Sequence, residues 1–398
     1  MYLGMQSRLF DKCPVAALTV SMILGIIIAH YVSLPITILP VLAGMVVVAL
    51  LLYKFANAQS VAILVCCLLL GMCVMQHHQQ TTNQPQTETR LDRSRNFFLQ
   101  QREQLLQRFN DSGLDGDAYA VVAAMSLGDK SALTRDVKSA YSVSGASHVL
   151  ALSGLHLGII YMLLSLFLPR RRWPALSQLL MILVVWAFVL LVGMPVSAVR
   201  SAVMLTIYGV LSIGRRNKMS VNVLAFTAFL MLMWNPAWLF DVGFQMSFMA
   251  VWAILLFVPL FTSVFSDQYY MEHPWVAKVW GMVAVSIAAQ LGVAPLIAYY
   301  FGQFSTCFLL TNFLVVPAAF IILCLSIAVL LFPPLAYLLL YIVNGLNASL
   351  NTIATFPGAS IGNLHPTILQ VVLIYVLIVC CYLLIERIKP IMGWTPWR

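Results

Sequence analysis

Two histidines and a serine stand within nine residues of each other, at His148, Ser153 and His156, inside a long apolar run. A serine beside an imidazole is the start of an activated nucleophile, which also needs a base in hydrogen-bond range and a third group to orient it. No acid lies near them in sequence, and no Gly-x-Ser-x-Gly elbow is expected anywhere in the chain. Hydrolysis is therefore the weaker reading, and no catalytic residue is assigned. At helical spacing the stretch from Ser144 to Gly158 puts Ser144, Ser147, Ala151, Gly154 and Gly158 on one face, a seam on which another helix could pack closely. His148, Ser153 and His156 fall on the other side, spread over roughly 140°. One side made for packing and one left polar predict a membrane helix that lines something wet.

The rest of the chain supplies the elements to hold it. Of 398 residues 62% are hydrophobic and 9% charged, a balance that excludes an ordinary soluble domain and predicts an all-α, polytopic membrane protein. Twelve spans are expected near 15–32, 34–53, 59–75, 147–168, 175–192, 196–213, 219–234, 242–260, 276–300, 306–331, 335–355 and 367–386. The first run is too long for a cleavable signal peptide and more spans follow it. The polar segment 76–143 reads as a flexible link (His77 to Glu88), an amphipathic helix (Leu91 to Phe109), a weak helix (Tyr119 to Leu127) and a third near Ala132 to Tyr141. These divide the chain into an N-terminal membrane region 1–76, an extracytoplasmic linker 77–117, and a main membrane domain 118–390.

With both termini in the cytoplasm, Arg8, Lys12, Lys54, Arg170, Arg171, Arg172, Arg215, Arg216, Lys218, Lys278, Arg387, Lys389 and Arg398 all fall inside. Asp11, Asp267, Glu272 and Glu386 oppose them, while segment 76–143 carries eight bases and eight acids on the outside. The net charge of +9 is thus what topology requires and says nothing of nucleic acid. Seven of the eight cysteines lie in or beside apolar runs, and no Cys/His spacing suggests a metal or a disulfide.

Polar groups inside spans are expensive and usually face a partner or a pathway. Arg200 sits early in the sixth span, with Ser197, Ser201, Met204 and Tyr208 on its side. Asp241 opens the eighth with Gln245 a turn below, so an Arg200–Asp241 pair and a pathway role both stay open. Asn344, Asn347, Asn351 and Thr355 continue a face begun by Tyr337 and Tyr341 and read as lining. Gln290, Pro295, Tyr299 and Tyr300, and Asn312 with Pro317, predict helices interrupted near functional backbone.

At these residues the chain resembles the ComEC family of competence proteins, inner-membrane channels for transforming DNA. "HVLALSGLHLGII" (148–160) carries the resemblance, and "MSLGDKSALT" (125–134) with its outer Gly128-Asp129 motif supports it. "MPVSAVRSAVM" (194–204), "NPAWLFDVGFQMSFMAV" (235–251) and "QLGVAPLIAYYFGQFSTCFLLTNFLVVP" (290–317) continue it, roughly over 118–390. The resemblance implies a bacterial inner-membrane channel for single-stranded DNA. His148, Ser153, His156, Arg200, Asp241, Gln245, Gln290, Asn312, Asn344, Asn347 and Asn351 would lie along the path. It also implies a separate cytoplasmic helicase-like ATPase and an extracytoplasmic DNA receptor, since no phosphate-binding loop is present. No cofactor is implied, and a homo-oligomer stays open. Two departures are expected: segment 76–143 is too short and strand-poor for the family's OB-fold, and no metallo-β-lactamase-like domain follows the last span. A secondary transporter of a small polar or anionic solute and a non-transporting truncated relative are the alternatives; the former predicts internal repeats, which the halves do not show.

Overall fold

The computed structural model describes residues 14–32, 38–82, 90–168, 173–213 and 221–388. Of the bases used for topology, Lys54, Lys278 and Arg387 are among them. Arg8, Lys12, Arg170, Arg171, Arg172, Arg215, Arg216, Lys218, Lys389 and Arg398 lie outside the described residues.

The helices are α1 Pro14–Tyr31, α2 Ile38–Leu51, α3 Ala56–Thr82, α4 Arg90–Asp111, α5 Gly116–Leu127, α6 Arg135–Ser144, α7 Gly154–Phe167, α8 Pro174–Leu191 and α9 Val196–Ile213. They continue as α10 Val221–Trp234, α11 Val242–Thr262, α12 Asp267–Glu272, α13 Pro274–Phe301, α14 Phe308–Leu331, α15 Ala336–Ala354 and α16 Ile368–Ile388. Phe304–Ser305 (β1) and Ser360–Ile361 (β2) form one short antiparallel pair. A helix lies in each of the twelve expected spans, although in the fourth, 147–168, it begins only at Gly154. Seven of them, α1, α3, α8, α11, α13, α14 and α16, are long and apolar enough to cross a membrane.

Two continuous helices correct the expectation of interruptions. α13 runs through Pro295 and α14 through Pro317 without a break. A proline removes one backbone bond, a loss that a packed membrane helix absorbs by local adjustment. Likewise α3 continues through His77 to Thr82, where a flexible link was expected; residues 83–89 lie outside the described residues.

Contacts divide the chain into two units, Met1–Thr89 with Val203–Phe248, and Arg90–Ala202 with Met249–Arg398. In the first, α1 crosses α3 at two glycines. A Cβ on Gly25 would stand 2.0 Å from the Leu68 carbonyl oxygen, and one on Gly71 2.2 Å from that of Met22. Hydroxyls fasten α1 to its neighbours: Ser21 Oγ donates to Leu64 O on α3 at 2.6 Å, and Thr19 Oγ1 lies 2.9 Å from Ala225 O on α10.

The second unit is built around α5. Ala120 to Met125 are completely buried, packed against α14 and α15 through Val315, Ala319, Ile322, Leu339 and Val343. Small side chains on every side let neighbours close around a helix, and a helix apolar all round belongs in a core. The sequence reading of a weak helix in an outer segment missed this. Gly128 ends α5 in the left-handed region (φ 71°), and a Cβ there would meet Leu152 Cδ1 at 2.5 Å. Asp129 then accepts from Ser131 N–H at 3.1 Å and from Ser131 Oγ–H at 2.9 Å, so the Gly128-Asp129 motif makes a tight turn. Thr134 caps α6 by accepting from Val137 N–H, and its hydroxyl donates to Asp117 Oδ1 at 3.0 Å.

Candidate functional site

The stretch around His148 is not one helix. Gly145 closes α6 with φ 90°, its N–H bonding Ser142 O at 3.1 Å while Ala146 N–H bonds Tyr141 O at 2.7 Å. The chain then turns until Ser153, which caps α7. Serine and glycine in a row favour such local bonds over a helix. The proposed packing face is corrected accordingly. Ser147 and Ala151 lie in the turn, and Gly158 has no neighbour within 4 Å of a Cβ position. Gly154 does meet another helix, with Ser201 Oγ 3.2 Å from where its Cβ would be.

Breaking the helix separates the two histidines in kind. His148 is exposed, its Nδ1 3.1 Å from Gly145 O. His156 is fully buried, its ring folded back on the first turn of α7. Ser153 N–H donates to His156 Nδ1 at 3.2 Å, and Ser153 Oγ lies 3.2 Å from the same nitrogen. That lone pair is already committed to a backbone N–H, so the contact caps a helix and does not activate a nucleophile. A Gly-x-Ser-x-Gly pattern does occur at 358–362, but Ser360 is on β2 opposite Ser305, not on a strand-to-helix turn.

The first turn of α7 rests on the start of α9. Ser197 Oγ donates to Leu152 O at 2.5 Å, and Ser201 Oγ donates to Ser197 O at 2.9 Å. Arg200, 5% exposed, donates from Nη2 to Ser201 Oγ at 3.4 Å. Arg200 belongs to the second unit and Asp241 to the first. Within the first unit Asp241 Oδ1 accepts from Phe244 N–H at 2.8 Å, capping α11, and Gln245 Nε2 donates to Leu239 O at 3.0 Å.

Loops and motifs far apart in sequence hold the turn from below. Thr311 Oγ1 donates to Ser144 O at 2.8 Å, Gln303 donates to the Ser142 hydroxyl, and a Cβ on Gly145 would meet Ser305 Oγ at 2.9 Å. Thr306 N–H to Ala359 O (3.0 Å) and Leu364 N–H to Gly302 O (2.9 Å) tie this platform to the β2 loop. Gln303, Ser305 and Thr311 were not singled out from sequence, since short polar residues at a helix entrance look like ordinary loop chemistry.

On α15 the expected face is met at Asn344, Asn351 and Thr355 but not at Asn347. Ala336, Leu339, Val343, Leu346, Leu350 and Ile353 are buried at steps of three and four. Opposite them Tyr337 and Tyr341, each 79% exposed, share a face with exposed Asn344, Asn351 and Thr355. Asn347 sits at the border and accepts from the buried Tyr141 hydroxyl at 2.8 Å, while its Nδ2 has no partner among the described residues. Asn312 on α14 is half-buried, its Oδ1 likewise without a partner among them, and Gln290 is half-buried on α13.

The Tyr141–Asn347 bond makes a direct test of packing. Tyr141→Phe should lower stability by about 1 kcal/mol, because the half-buried Asn347 carbonyl loses its donor. Adding Asn347→Leu should recover part of that loss, since replacing both partners is nearly neutral. The midpoint of SDS-titrated unfolding of the two variants checks it.

The family model for the competence protein family matches residues 125–388, from the end of α5 through α16. The chain belongs to the competence protein family. It is a multi-pass protein of the bacterial inner membrane, as its family and its long apolar helices show. It is similar to "ComE operon protein 3" of Bacillus subtilis (strain 168), 30% identical over 52% of this chain and 26% of that protein. An uncharacterised protein of Aquifex aeolicus is 32% identical over 50% of this chain and 45% of its own length. "Recombination protein 2" of Haemophilus influenzae is 24% identical over 50% of this chain and 26% of its own. The matches thus cover less than half of each relative. No solved structure gives a significant match.

Proposed function

We propose that this protein passes single-stranded DNA across the inner membrane into the cytoplasm during DNA uptake. Membership of the competence family supports a role in this process. The observation that carries the finer reading is the exposed face of α15, with Tyr337, Tyr341, Asn344, Asn351 and Thr355 turned away from the core. Lipid offers such a face nothing, whereas a nucleic acid strand offers bases to stack on tyrosine and groups to bond with amides. Amides bind weakly enough to let go, which passage demands. Buried Asn312 Oδ1 and Asn347 Nδ2 are further polar atoms for which a wet path supplies partners. His148, Gln290, Arg200 and His156 would add donors along it. On this reading a helicase-like ATPase inside and a DNA receptor outside are separate chains.

Complementation of a deletion strain tests it. Asn344→Leu with Asn351→Leu should leave the protein folded, because both side chains are exposed, and lower uptake of labelled DNA by about tenfold through two lost hydrogen bonds. Unchanged uptake at wild-type protein level, with small-solute flux in proteoliposomes, would replace the DNA path by the transporter reading.

A further inference from the structure

One group at the first turn of α7 is left without a partner by the contacts described above. His156 Nδ1 accepts from Ser153 N–H, so the neutral ring carries its hydrogen on Nε2. That nitrogen has no hydrogen-bond partner among the described residues, and the residue is fully buried. A buried donor left bare is costly, and a folded protein keeps one where a ligand or an ion completes it.

Its surroundings say what kind of ligand. Gly154 and Leu155 supply the first amides of a 14-residue helix, which have no acceptor within the helix and carry the positive end of its dipole. Beside them stands Ser201, within 3.2 Å of a Cβ position on Gly154, and bonded to the Arg200 guanidinium at 3.4 Å. The N-terminus of α7 and the neutral N–H donor of its third residue thus share one turn, and the Arg200 cation of α9 is joined to it through Ser201. The floor of the place, His156 and Arg200, is buried, while its rim at Ser147, His148 and Gly154 is exposed. Such a group of donors fits a tetrahedral oxyanion entering from the rim.

We propose that the first turn of α7 is a phosphate-binding site that takes one phosphodiester of the passing strand. The choice of a phosphodiester rests on the DNA reading; the anion site itself rests on the geometry. With a single full charge and a neutral imidazole, the site holds a phosphate without trapping it, so that the strand can advance one unit at a time.

The full chain, ring-15N-labelled at histidine in nanodiscs of zwitterionic lipid, provides the test. The His156 signal is identified by its loss in His156→Gln. Inorganic phosphate and a short thymidine oligonucleotide should each shift the His156 Nε2–H downfield, and the same oligonucleotide with a neutral methylphosphonate backbone should not. Binding of the oligonucleotide should weaken about tenfold or more in His156→Leu, and be largely kept in His156→Gln, whose amide places a donor where Nε2 was. Should His156→Leu fail to fold, Ser201→Ala is the second variant, expected to weaken binding several-fold by releasing Arg200. Silence of Nε2 toward both phosphate and oligonucleotide overturns the site, and uptake of DNA that still depends on Arg200 would then leave the channel reading standing. A shift with inorganic phosphate or anionic lipid but not with the oligonucleotide overturns the phosphodiester assignment and moves the site to a lipid headgroup or a free anion.

Discussion

Arg200→Ala should reduce uptake of labelled DNA by about a hundredfold in a complemented deletion strain, with the protein still present in the membrane. The size follows from where the charge is. Arg200 is 5% exposed at the start of α9 and held toward the first turn of α7 through Ser201. A guanidinium withdrawn from water acts on a phosphate through a low dielectric, where one contact is worth several exposed ones. Salt screens exposed charges over about 8 Å at physiological strength but reaches a buried one little, so the wild-type rate should vary only weakly with ionic strength. Arg200→Lys should fall between the two, because an ammonium keeps the charge but loses the planar fork. A purely structural arginine would behave differently: the alanine variant would lose unfolding midpoint and abundance together, and uptake per molecule would stay at the wild-type level. Measuring uptake per molecule alongside the midpoint separates the two, and an unchanged rate per molecule removes Arg200 from the path.

The same region shows how far the chain could be read before it was folded. Long apolar runs announce helices without help from anything distant, which is why α1, α8, α9 and α16 begin within one residue of the expected spans. The face of α15 was legible too, because a three-four pattern of asparagine and tyrosine keeps its meaning wherever the helix packs. What failed depended on contacts across the chain. Helical spacing ran Ser144 to Gly158 into one span, but Gly145 adopts φ 90° and Thr311, Gln303 and Ser305 hold the turn it makes. Nothing local distinguishes that glycine from one tolerated inside a helix. The α5 segment misled in the opposite sense. Its small apolar residues lie between charged stretches and look peripheral until α14 and α15 close over them. Polarity averaged over a long segment hides one short buried helix.

The second large effect belongs to the first unit and to no polar group at all. Gly25→Val should destabilise the protein by about 3 kcal/mol and remove most of it from the membrane. A Cβ at position 25 would stand 2.0 Å from Leu68 O and 2.9 Å from Leu68 C, both backbone atoms that cannot swing aside as a side chain can. The reciprocal glycine is no freer, with Met22 O 2.2 Å from a Cβ on Gly71. Each helix thus presents its bare backbone where the other's carbonyl passes, and either substitution must push α1 and α3 apart. In lipid this is severe, because helices associate through close packing and not through exclusion of water. Separation would also break the Ser21–Leu64 hydrogen bond, leaving a carbonyl and a hydroxyl to lipid. Gly44 on α2 is the control, since nothing lies within 4 Å of its Cβ position. Gly44→Ala should leave the unfolding midpoint unchanged or raise it slightly, as alanine is the better helix former. Equal midpoints for Gly25→Val, Gly71→Val and the wild type in SDS titration would show that α1 and α3 do not cross at these glycines. A fall confined to the first two would fix the crossing to that pair.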